Sequence, residues 1–104
     1  MKEYKVTITP EALEDLNRYL SYLLFVKKNE QAYDAVLADY YETIDSLSML
    51  AGARPDSQKA ELTERGIKEI YFQRHDYVLL YWMKGDEAVV VYMFHTSEDY
   101  QNKI

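Results

Sequence analysis

Residues 66–100 read GIKEIYFQRHDYVLLYWMKGDEAVVVYMFHTSEDY, and this stretch decides the fold. Three runs rich in β-branched and aromatic residues, Ile67 to Gln73, Tyr77 to Met83 and Ala88 to His95, are separated by two polar turns. These turns are Arg74-His75-Asp76 and Lys84-Gly85-Asp86. Runs of this length bounded by such turns predict a three-strand antiparallel meander. The second and third runs are apolar at nearly every residue, which predicts inner strands covered on both faces, or by helices on one face and a partner on the other. The last run ends at His95, and a polar tail with Asp99 and Tyr100 follows. That exit is either the wall of a site or the edge of a contact surface.

Upstream, Tyr4, Val6 and Ile8 alternate with Lys5 and Thr7, the period of a strand with one buried face. Thr9-Pro10-Glu11 then reads as a helix start, with a capping hydroxyl, proline at the first helical position and an acid at the positive end of the dipole. Leu13, Leu16, Leu20, Leu23 and Leu24 follow at helical spacing, so the first helix is expected to run to Val26 with Lys27 and Lys28 in its last turn. Asn29 is positioned to cap a second helix. Its stripe is Ala32, Val36, Tyr40, Ile44, Leu47 and Ala51, and Gly52 is expected to stop it. The short connection predicts an antiparallel helical hairpin. Residues 53–65 read as a loop with one helical turn around Lys59 to Leu62. The whole is one α+β domain over residues 1–104.

The chain holds 18 acids against 12 bases and has a net charge of −6. From Pro10 to Ala51 there are three bases and eight acids, so this segment is a poor nucleic-acid surface and no binding of free nucleic acid is expected. There is no cysteine, hence no disulfide or thiolate site, which fits a cytoplasmic location. No apolar run approaches the roughly 18 residues of a membrane span. Scattered glycines make no phosphate cradle, and His95 with Asp99 is too few ligands for a metal, so neither cofactor nor metal is expected.

The opening ITPEALEDL, followed in order by RGIKEI, HDYVLLYW, the turn KGDE, the strand VVVYMFH and the closing SEDY, resembles RelE/ParE-type toxins. These are the toxin halves of type II toxin–antitoxin modules, also called plasmid stabilisation proteins. The resemblance covers nearly the whole chain. It implies a helical hairpin on one face of a small antiparallel sheet, a concave opposite face, growth inhibition in the cytoplasm and a cognate antitoxin that wraps sheet and hairpin. It also implies one of two targets. RelE-like members cut mRNA on the ribosome, whereas ParE-like members share the fold and poison DNA gyrase.

Under the nuclease reading, the resemblance carries acid/base roles to His95 and Tyr100 and phosphate contacts to Lys68, Arg65 and Arg74. Cleavage needs a base for the 2′-hydroxyl, an acid for the leaving oxygen and cations for the phosphate. The family often has Arg after the central-strand Tyr, and here Val78 stands in that place. Lys68, where many members carry Arg, lacks the bidentate fork. Each residue also has a structural reading: His95 and Tyr100 as strand-end and sheet-edge residues, Asp99 as a turn residue or the group that orients His95, His75 and Asp76 as turn residues. Tyr71, Tyr77, Tyr81 and Tyr92 mark a partner-binding surface, since tyrosine couples apolar area to a polar tip. Trp82 on the central strand reads as core, or as an anchor of that partner-binding surface if it lies on the outer face. Acidic charge and few sheet cations favour the ParE-like reading over the ribosome-dependent endoribonuclease, with an inactive binding module as a third reading.

Overall fold

The structure, a computed structural model, describes residues 3–104. Strand β1 (Lys5–Ile8) leads into helix α1 (Pro10–Ser21) and helix α2 (Glu30–Leu50). A short helix α3 (Ala60–Glu64) precedes the strands β2 (Lys68–Tyr71), β3 (Tyr77–Lys84) and β4 (Glu87–His95). A 3-10 turn, Tyr100–Asn102, closes the chain. The sheet order is β1-β4-β3-β2, so the two most apolar runs are the inner strands. Among the described residues, no helix is long and apolar enough to cross a membrane.

The helix starts follow the sequence. Thr9 Oγ1 accepts the Ala12 N–H at 3.2 Å, and Asn29 Oδ1 accepts the Ala32 N–H at 3.0 Å. Three other features differ from expectation. The sheet is mixed, because β1 runs parallel to β4, with Val6 opposite Ala88 and Ile8 opposite Val90. A parallel neighbour requires a crossover, which the intervening helices supply. The first helix stops being α-helical at Ser21 and widens into a π turn, Tyr22–Val26, closed by the Lys27 N–H to Tyr22 C=O bond at 3.0 Å. Lys28 then adopts φ 52°, the left-handed conformation that ends the segment.

The third difference concerns Gly52. It lies in a 3-10 turn, Ala51–Ala53, and is not one of the positive-φ glycines Gly66 and Gly85. Its need is space. A Cβ at position 52 would stand 2.5 Å from the Tyr4 hydroxyl oxygen and 2.8 Å from its Cζ. Gly52→Ala is therefore expected to destabilise the fold by about 1–3 kcal/mol, the cost of overpacking. Urea unfolding of Gly52→Ala with and without Tyr4→Ala checks this, since shortening Tyr4 should return most of the loss.

Two cores flank the sheet. Leu16, Leu20, Val36, Tyr40 and Leu47 of the helices pack with Ile70, Leu79, Tyr81, Val90 and Met93. On the opposite face Leu62, Val78, Leu80, Phe94 and Tyr100 form a second core, joined by Ile67, Val91, Tyr92 and Ile104. A register shift at Leu80/Tyr81 pairs Leu80 with Tyr92 and Tyr81 with Val90. Val91 is the extra residue of this bulge, which lets both Val91 and Tyr92 join the second core.

Asp39, buried in α2 at 1% exposure, ties the hairpin to the β2–β3 turn. Its carboxylate accepts the N–H groups of Gln73 (3.2 Å) and Arg74 (2.9 Å) and faces His75 Nδ1 at 2.8 Å.

Candidate functional site

At the exit of β4, His95 belongs to the helix-facing side. Its ring meets the Tyr77 ring edge-on, centroids 5.2 Å apart. The Ser97 N–H donates to His95 Nδ1 at 3.1 Å, so Nδ1 is an acceptor and the neutral ring carries its proton on Nε2. The Ser97 hydroxyl lies 2.7 Å from the same nitrogen. Glu98 supplies the nearby charge. It accepts the His95 N–H at 3.0 Å, the Tyr19 hydroxyl, and Lys103 Nζ at 2.8 Å. Burial alone would raise the Glu98 pKa, but the bonds from Lys103, Tyr19 and the His95 N–H hold it down at about 2. Burial and the Glu98 contact push Tyr19 up to about 12. Asp99 does not orient His95. It serves the closing turn, accepting Asn102 Nδ2 at 2.8 Å.

Tyr100 lies on the other side of the sheet. Its ring stacks on Phe94 with centroids 5.6 Å apart, and it is 2% exposed. Its hydroxyl donates to Glu69 Oε2 at 2.7 Å and lies 3.1 Å from the Tyr71 hydroxyl. Burial, then Tyr71 and Glu69, raise its pKa far above the ordinary phenol value, so it resists giving up a proton. Lys59 Nζ sits 5.2 Å from the ring centroid. His95 and Tyr100 are thus placed on opposite faces and do not converge on one substrate position.

The expected phosphate contacts are also dispersed. Lys68 shares the helix-facing side with its register partner Tyr81, and its Nζ donates to the Arg54 C=O at 2.8 Å and to Asp56 at 3.0 Å. Arg74 pairs with Glu42. Arg65 is exposed beyond α3. Val78 is fully buried in the second core. Where a phosphate-binding Arg was in question, Leu62, Phe94 and Tyr100 enclose an apolar side chain.

The tyrosine surface divides as well. Tyr77 and Tyr81, expected to meet a partner, are core residues, because alternate positions of an inner strand face the helices. The Tyr81 hydroxyl donates to the Ala51 C=O at 2.9 Å. Tyr71 and Trp82 are exposed and Tyr92 half-buried, so these three remain available on the outer face. Among the described residues, no group of three or more His, Asp or Glu side chains is placed to hold a metal ion.

The residues that sequence reading missed are Ser97 and Glu98, and it did not bring His95 and Tyr77 together on the wall of one apolar cavity of about 470 Å3. Arg18, Tyr19, Tyr22, Leu23, Tyr77 and His95 line it. The signal for Glu98 was its place three residues past the last strand residue, where a carboxylate reaches back to a free N–H.

The family model for the ParE toxin of the type II toxin-antitoxin system, parDE, matches residues 6–100. A chain of the solved chromosomal ParDE system from P. aeruginosa superposes with a TM-score of 0.71 at 19% identity, over 89% of this chain and 96% of that one. The solution structure of the conserved hypothetical protein HP0894 from Helicobacter pylori gives a TM-score of 0.59 at 18% identity, over 91% and 97%. At such identities these two likenesses speak for the fold. No curated protein sequence matches.

Proposed function

We propose that this chain, which belongs to the ParE toxin family of type II toxin–antitoxin systems, inhibits growth by binding DNA gyrase and is neutralised by a cognate antitoxin. The observation that carries the non-nuclease reading is the closed outer face of the sheet. Val78, Phe94 and Tyr100 fill it, while His95 lies across the sheet from Tyr100. In-line cleavage of RNA needs a base, an acid and phosphate cations around one scissile bond. Here the acid/base candidates are separated by the sheet, and two of the three expected phosphate cations, Lys68 and Arg74, are held by Asp56 and Glu42. The net charge of −6 further disfavours contact with an RNA backbone. A protein target removes these requirements.

Induced expression in a bacterial host tests the reading. Growth arrest with SOS induction, intact mRNA by primer extension and trapped gyrase cleavage complexes are the expected results. Codon-phased mRNA cuts that vanish in His95→Ala would instead establish ribosome-dependent cleavage. Soluble protein without growth arrest would identify an inactive binding module.

A further inference from the structure

The fourteen residues Leu16 to Asn29, LNRYLSYLLFVKKN, carry three bases and no acid in a chain of net charge −6. The remainder of Pro10 to Ala51 carries eight acids and no base. All the positive charge of the hairpin is therefore gathered at its tip. The same tip leaves large apolar side chains in solvent: Phe25 is 71%, Val26 64% and Tyr22 48% exposed. Beside them opens the cavity of about 470 Å3 walled by Tyr19, Tyr22, Leu23, Tyr77 and His95, with Arg18 at its rim. The Arg18 guanidinium stands 5.1 Å from the Tyr19 ring centroid, and Lys27 Nζ stands 5.7 Å from that of Tyr22. Apolar walls and cations thus share one location.

Two of the acids nearby, Asp15 and Glu98, are engaged, and Glu30 opens α2 just past the tip. Asp15 accepts the Met93 N–H and pairs with Arg18 at 3.1 Å. Glu98 is held by Tyr19, the His95 N–H and Lys103. Burial, and then the adjoining Asp76 charge, raise the Tyr77 pKa. Among the described residues, neither Lys27 nor Lys28 forms an ion pair with a carboxylate.

The geometry points to a docking site for an acidic peptide segment of another protein. One aromatic or long aliphatic side chain of that segment enters the cavity between Tyr19, Tyr22, Tyr77 and His95. Carboxylates on either side of this anchor face Arg18, Lys27 and Lys28. A buried anchor in an aromatic pocket supplies affinity, and the complementary rim charges supply orientation and encounter rate. An acidic membrane surface would satisfy the lysines and the protruding Phe25. It would leave the concave cavity behind Tyr22 unused, which favours the peptide. The inference deepens the toxin reading by giving the chemistry of a partner segment. It is tested on the purified chain, so an absence of growth arrest would leave its outcome untouched.

Two short fluorescein-labelled peptides serve as probes. They share one Leu and Phe anchor pattern, flanked by Glu in one and by Lys in the other. Fluorescence anisotropy with the full chain should show the Glu peptide binding at least about tenfold more tightly than the Lys peptide. The Arg18→Glu/Lys27→Glu variant should weaken the Glu peptide by a similar factor, and Tyr22→Ala should weaken both peptides. Gln58→Ala, in the exposed loop before α3, should change neither. All four substituted residues are exposed, and circular dichroism confirms that each variant folds. Equal binding of the two peptides, or Glu-peptide binding indifferent to the three tip substitutions, overturns the proposal. So does sedimentation with phosphatidylglycerol vesicles that depends on the tip residues when the Glu peptide does not bind, or tip-dependent self-association of the chain in its place.

Discussion

Asp39→Ala is expected to lower the unfolding free energy by about 3 kcal/mol, the cost of stripping a buried hydrogen-bonded charge from its partners. Three groups converge on this carboxylate: the N–H groups of Gln73 and Arg74, and His75 Nδ1. Alanine leaves the two N–H donors without their acceptor at the turn that joins β2 to β3, and the hairpin loses its polar tie to the sheet. Asp39→Asn keeps one acceptor oxygen and should lose less. The pH dependence carries a definite sign. Burial works to raise the Asp39 pKa, yet the bonds from His75, Arg74 and Gln73 outweigh it and hold the folded value below the ordinary one. The stabilisation is then fully present above the unfolded carboxylate range and is lost as pH falls through the depressed folded value. Urea unfolding of wild type and Asp39→Ala should diverge most near neutral pH and converge in strong acid. A loss under about 1 kcal/mol at neutral pH, within what a surface site gives, would count against the tie.

Asp39 also shows where sequence reading stops. Val36, Tyr40 and Leu47 announce the buried stripe of α2, and an acid one position before Tyr40 looks like the start of the wet face. Its partners lie more than thirty residues downstream, at 73–75, and only the tertiary fold brings them to it. The meander, the helix starts and the hairpin were legible because periodicity, capping and turn residues are local signals. The parallel pairing of β1 with β4 is a long-range choice and leaves no local signature. The π turn at Tyr22–Val26 hides inside a continuous apolar run. The separation of His95 from Tyr100 was equally out of reach. Five residues apart in sequence, they read as one constellation, yet a strand end and a reversing turn send them to opposite faces. Tyr100 reads as a sheet-edge residue, but it and Ile104 sit in a polar tail, and nothing local announces that this tail covers a whole face of the sheet.

Val78 tests that cover directly. Arginine at this position is what the nuclease relatives would lead one to restore, but here it is expected to damage the fold, by about 3–5 kcal/mol for an uncompensated buried charge. Val78 is fully buried among Leu62, Leu80, Phe94 and Tyr100, and its cross-strand neighbour on β2 is Tyr71. A guanidinium fits only if Tyr100 leaves. Leaving breaks the Tyr100 bond to Glu69 and the stack on Phe94, and frees the closing turn. The two sites are therefore coupled, and a double-mutant cycle reads the coupling. In a Tyr100→Ala background the ring's space is vacant, and Val78→Arg should cost about 1–2 kcal/mol less than in the parent chain. Thermal melts of the four proteins provide the measurement. If Val78→Arg instead melts with wild type and shows no coupling to Tyr100, the outer face is open. Cations on it would then be free to meet a phosphate, and the endoribonuclease reading would regain its main requirement. If the coupling appears, the residue that departs from the nuclease pattern is the one that closes the face. A partner must then be met on Trp82, Tyr92 and Tyr71 at its margin, or at the basic tip of the hairpin.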